Sequence, residues 1–105
     1  MLENVIFNEL LLRGCQVDVG VVPIGDKRHE IDFVVNDGDK RIYIQSAYQI
    51  DTEQKESAEL QPMKLTGDFF RKIVIRLDIP HNYYDDNGFF HCNLMDFLLG
   101  NIELF

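Results

Sequence analysis

The segment Glu30–Tyr48, EIDFVVNDGDKRIYIQSAY, reads as two strands joined by a tight turn, and the rest of the chain must pack around it. Ile31, Phe33 and Val35 alternate with Glu30, Asp32 and Val34, and Ile42 and Ile44 alternate with Tyr43 and Gln45. Alternation of this kind predicts strands with one face buried. Between them Asn36-Asp37-Gly38-Asp39 supplies residues that tolerate positive φ, the strongest local signal for a hairpin. Asp32 is the odd member. A carboxylate inside an apolar strand runs against β-propensity and costs free energy unless something pairs with it. Gln45 stands at the matching place on the return strand, so two oxygen-bearing side chains meet at the middle of the hairpin. That pairing suggests a site for a hard cation.

The flanking sequence supplies layers to cover such a hairpin. Residues 2–13, LENVIFNELLLR, place apolar side chains at helical spacing, and Gly14 follows in the stop position. Glu3 falls in the first turn, where the helix dipole favours a carboxylate, so it has an ordinary role beside a role in a site. Residues 15–24 alternate Val17, Val19 and Val21 with polar or small neighbours, and Pro23 ends that strand or marks it as lying near an edge. Gly25-Asp26-Lys27-Arg28 connects into the Glu30 strand, with His29 at its start as a solvated or packing residue. After Tyr48, Asp51-Thr52 caps a helix over Glu53–Leu60 that Pro62 interrupts, with a second turn or a bend ending at Gly67. Phe69–Leu77 is the most apolar strand, suited to a central place covered on both faces. Asp78–Gly88 reads as a polar loop, Phe89–Cys92 as a short strand, and Leu94–Leu99 as a terminal helix stopped by Gly100. The predicted order is αβββαββα, a single α/β domain with a mixed sheet, because a crossover helix returns its strand parallel to the one before.

Composition limits the partners. The 105 residues suit one core, and no apolar run approaches the roughly 18 residues of a membrane helix. Cys15 and Cys92 lack a paired spacing and read as reduced core thiols, with a disulfide the less favoured alternative. Together with Glu3 and the lack of a basic leader at the start, this predicts a cytoplasmic protein. A net charge of −8 opposes binding by phosphate neutralisation. The exception to test is a DNA contact built from Lys27, Arg28, Lys40 and Arg41, if the two pairs gather at one end of the hairpin.

The succession LENVIFNELLLRG, EIDFVV, YIQSAYQI, KIVI and DFLL resembles the PD-(D/E)XK nuclease-like superfamily. More narrowly, it is similar to the C-terminal domain that follows the ATPase module in AAA-type ATP-binding proteins of the DUF4143-containing group. The likeness runs from Leu2 to Leu99 and rests on the order and spacing of short motifs. It implies a restriction-endonuclease-like three-layer sandwich, excised from or partnering a larger ATPase. It also implies a site at Glu3, Asp32 and the triplet Gln45-Ser46-Ala47. There the acids and the Ser46 backbone would hold Mg²⁺, and a lysine would help activate the attacking water. This chain departs from that pattern twice. Gln45 offers an amide oxygen without charge, and Ala47 removes the lysine. A positioned proton-transfer group contributes on the order of 10²–10⁴-fold in rate, so its loss is severe. Lys55 is the one candidate for a migrated lysine, against its plainer reading as a solvated helix residue. Tyr43 and Tyr48 could stack on a base, but pack more simply as strand residues.

The resemblance therefore implies a nuclease-like domain with a degenerate site, serving an ATPase module of the same or a partner chain through binding or regulation. A second copy of the chain is the other partner expected, with the apolar helices and the Phe89-Phe90 strand as contact surfaces. The alternative is an active Mg²⁺-dependent deoxyribonuclease using Glu3, Asp32 and Gln45. A third reading makes the domain structural, with Asp32 paired to Lys40 or Arg41.

Overall fold

The structure is a computed structural model that describes residues 1–24 and 27–105. The Gly25-Asp26 connection and the side chains of Ile24 and Lys27 lie outside the described residues. Helix α1 (Leu2–Leu12) is followed by strands β1 (Gln16–Ile24), β2 (Lys27–Asp37) and β3 (Lys40–Ala47). Then come helix α2 (Glu53–Lys64), strands β4 (Arg71–Arg76), β5 (Tyr83–Tyr84) and β6 (Phe90–Asn93), and helix α3 (Leu94–Leu98). The strands form one six-stranded mixed sheet in the order β1-β2-β3-β4-β6-β5. The first three pair antiparallel, whereas β3–β4 and β4–β6 are parallel. The crossover through α2 thus returns β4 parallel to β3, as expected. Among the described residues, no helix is long and apolar enough to cross a membrane.

The two faces of the sheet bury separate clusters. Leu2, Ile6 and Leu10 of α1 and Phe97 of α3 pack on Phe33, Val35, Ile42, Ile44, Ile73 and Ile75. On the other face Leu60 and Met63 of α2 pack on Ile31, Val34, Tyr43, Ala47 and Val74. Strand β4 therefore sends Ile73 and Ile75 one way and Val74 the other, which is why its sequence is continuously apolar. Gly38 closes the β2–β3 hairpin with φ of 63°.

Three local expectations need correction. Ile31 does not share a face with Phe33 and Val35. The β1–β2 register passes from Asp18 opposite Val34 to Gly20 opposite Ile31, two steps on β1 against three on β2. The surplus residue makes a bulge at Asp32 and Phe33, and it reverses the side on which Ile31 falls. Pro62 does not interrupt α2. It sits in the last turn, where a missing N–H removes a single bond, and its ring is buried. The polar loop after β4 contains β5, whose Tyr83 and Tyr84 pair with His91 and Phe90. Two residues are too short to show an alternation.

Candidate functional site

The bulge decides what Asp32 can do. The β2–β3 ladder ends with Phe33 opposite Ile44, and beyond that pair side chains replace backbone bonds. The Asp32 N–H donates to Gln45 Oε1 at 2.9 Å. The Ser46 N–H and Oγ–H both donate to Asp32 Oδ2, at 2.8 and 2.7 Å. Gln45 Nε2 in turn donates to the Glu59 carbonyl of α2 at 3.0 Å. At this fork lies a cavity of about 260 Å³ lined by Met1, Leu2, Glu3, Asp32, Ser46, Ala47, Tyr48 and Glu59. The Tyr48 hydroxyl accepts the Leu2 N–H at 2.9 Å, which fixes the start of α1 at the cavity mouth.

Of the residues singled out from sequence, Glu3, Asp32 and Ser46 share this cavity. Gln45 does not line it. Its amide is buried, with the oxygen held by the Asp32 backbone and the nitrogen held by α2. Ala47 lines the cavity and also belongs to the apolar cluster under α2. Lys55 is exposed in the first turn of α2 and does not line the cavity. Glu59, one helical turn further on, does line it and was missed, because nothing in the Glu53–Leu60 sequence marks one acid above the others.

These groups do not fit a hard cation. Mg²⁺ requires several oxygens in near-octahedral array at about 2.0–2.1 Å. Here Asp32 Oδ2 already accepts two hydrogen bonds and the Gln45 oxygen faces a backbone amide. Among the described residues, Glu3, Asp32 and Glu59 do not form a set whose ligand atoms all lie within 4.8 Å of one another; Glu56, Asp85 and His91 do. Among the described residues, Asp32 is also not paired with Lys40 or Arg41. Arg41, on β3, stands opposite Asn36 near the end of β2 and donates to its Oδ1 at 2.9 Å.

Of the four cations proposed for DNA, the three with described side chains do not gather at one end. Arg28 pairs with Pro23 near the start of β2, and Lys40 and Arg41 pair with Asp37 and Asn36 at its end. Eight residues of strand separate the two, about 26 Å at ~3.3 Å each. Lys27 lies outside the described side chains. Cys15 and Cys92 are both free thiols, and burial, the largest influence, pushes the Cys92 thiol up to about 12. Cys92 is fully buried in the α1-side core.

A second polar network fills the carboxyl end of β4. Arg76, 5% exposed, donates from Nε and Nη2 to the two oxygens of Asp78 at 2.7 and 2.6 Å. It also donates to the Tyr83 hydroxyl at 2.9 Å and the Ile50 carbonyl at 3.2 Å. Arg76 Nη1 lies 3.2 Å from His91 Nδ1, and His91 Nε2 lies 2.7 Å from Asp85 Oδ2. A guanidinium only donates, so Nδ1 must present its lone pair and the imidazole proton sits on Nε2, directed at Asp85.

The hydrogen bond from Arg76 holds the Asp78 carboxyl down at about 2, against an ordinary value of 3.8. A group depressed on folding contributes stability above its unfolded value and loses it as pH falls through the folded one. The chain should therefore lose about 2 kcal/mol between about pH 4 and pH 2 through Asp78, whose side chain is 20% exposed. Urea titrations across that interval, compared with Asp78→Asn, check it. The variant should lack this part of the slope.

No protein-family model matches the chain. An uncharacterized protein of Haemophilus influenzae is similar to it, with 40% identity over 74 residues, 70% of this chain. The chain spans only 17% of that relative's length.

Proposed function

We propose that this chain is a nuclease-like domain of the PD-(D/E)XK kind whose site no longer performs hydrolysis. Its sandwich is of the restriction-endonuclease-like type, and it serves an AAA-type ATPase as a binding or regulatory module. The order of α1, the β1–β2–β3 meander and the α2 crossover supports the ancestry, as does an acid at the β2–β3 fork. The observation that carries the degenerate reading is the engagement of Gln45. Both ends of its amide are bonded within the protein, and the neighbouring position that would bear a lysine is the buried Ala47. The similarity of this chain to a small part of a much longer relative supports its use as a module.

The chain, incubated with supercoiled plasmid and branched DNA in Mg²⁺ or Mn²⁺, should nick neither above the level of Asp32→Asn. Cleavage by the natural sequence that Asp32→Asn abolishes would establish the active nuclease instead. The ATPase assignment is tested in the H. influenzae relative. That protein should hydrolyse ATP, at a rate altered by deleting the segment similar to this chain. An intact relative without ATP turnover would end the assignment.

A further inference from the structure

We propose that Glu56, Asp85 and His91 bind a borderline divalent transition cation of the Zn²⁺ class, at a place distinct from the Asp32 cavity. The three come from α2, from the turn after β5 and from β6, and one ligand atom of each lies within 4.8 Å of the other two. Asp85 is held in position by its other oxygen, which accepts the N–H groups of Asn87 and Phe89 at 2.8 and 3.0 Å. That leaves Oδ2 for the cluster, where it accepts the His91 Nε2–H at 2.7 Å and would exchange that bond for the cation. His91 is fully buried and fixed by a parallel stack on Tyr83, with ring centroids 4.6 Å apart. Glu56 is half-buried on α2, and no hydrogen bond to its carboxylate is found among the described residues. Imidazole with two carboxylates is a donor set suited to Zn²⁺ rather than to Mg²⁺ or Ca²⁺, with water completing the coordination.

Charge favours the same occupant. The Arg76 cation is matched by its two-pronged contact with Asp78. The carboxylates of Glu56 and Asp85 face the ring, and the Arg76 cation acts on Glu56 as well as on Asp78. A divalent cation balances the two carboxylates.

The Arg76 contact gives the site its signature. With Nδ1 accepting from Arg76, the ring carries its proton on Nε2, where the cation must bind. Binding therefore moves that proton to Nδ1 by exchange with solvent, with no net loss from the ring. Arg76 Nη1 gives up its 3.2 Å contact with His91 and keeps Asp78, Tyr83 and Ile50. Binding and a change of tautomer are one event.

The whole chain, stripped with chelator, is titrated with Zn²⁺ by calorimetry while the imidazole nitrogens are followed by long-range ¹H–¹⁵N NMR. The expected result is one Zn²⁺ per chain and a switch of His91 from the Nε2–H to the Nδ1–H form. Glu56→Gln should weaken binding at least about tenfold and leave the melting of the metal-free chain unchanged. Asp32→Asn should bind as the natural sequence does. No binding, an unchanged His91 tautomer at saturation, an unaltered affinity in Glu56→Gln, or a loss of binding in Asp32→Asn would each overturn the assignment. None of these readouts depends on nuclease or ATPase activity.

Discussion

Arg76→Ala should lower the stability of the chain by about 3–5 kcal/mol, the usual cost of removing one partner from a buried ion pair. The guanidinium gathers four parts of the chain at one point, beside the Ile50 N–H bond to Asp78 at 2.9 Å and the pairing of Tyr83 with His91. It bonds Asp78 just after its own strand, the Ile50 carbonyl before α2, the Tyr83 hydroxyl of β5 and the ring of His91 in β6. Truncation leaves the Asp78 carboxylate without its cation and strands the buried Nδ1 of His91. Arg76→Lys should recover little, because an ammonium cannot reproduce the planar fork that meets both oxygens of Asp78. Urea unfolding followed by circular dichroism measures both. A loss below about 1 kcal/mol in Arg76→Ala would mean that water replaces the guanidinium and that the network is not a structural tie.

Gly20→Val should cost up to about 3 kcal/mol by overpacking. A Cβ added at Gly20 would stand 2.7 Å from Val34 Cγ2 and 3.1 Å from Ile31 Cβ. Both neighbours belong to the sheet core under α2, and both reach Gly20 because the bulge turns Ile31 to the side of Val34. Val19 next to it is 67% exposed, so Val19→Thr should change stability by no more than about 0.5 kcal/mol. Equal effects of the two changes, measured by chemical denaturation, would mean that β1 shifts to relieve the contact.

How much of this could be read from sequence follows the range of the forces involved. The hairpin was legible because its turn depends only on Gly38 and its neighbours, and β4 because the run Ile73-Val74-Ile75 faces two cores. The bulge was not. It depends on Gly20, eleven residues before Ile31, leaving room for two side chains at once. Asp32 and Gln45 do meet, yet through the Asp32 backbone rather than its carboxylate, since the register that ends the ladder there is set by the whole sheet. The two basic pairs were misjudged for a simpler reason. Residues 27–28 and 40–41 flank the same strand, and an eleven-residue strand carries them to opposite ends. Glu56 and Glu59 gain meaning only from what β3 and β6 place beneath α2.

Gln45 joins two parts that a regular sheet would leave mechanically independent. One end of its amide replaces a ladder bond to β2, and the other grips the main chain of α2. The helix therefore cannot lift without freeing the Asp32 amide, and a force applied to α2 from outside is delivered to the mouth of the cavity. Solvent exchange at that one amide is accordingly a gauge of how firmly the helix is seated.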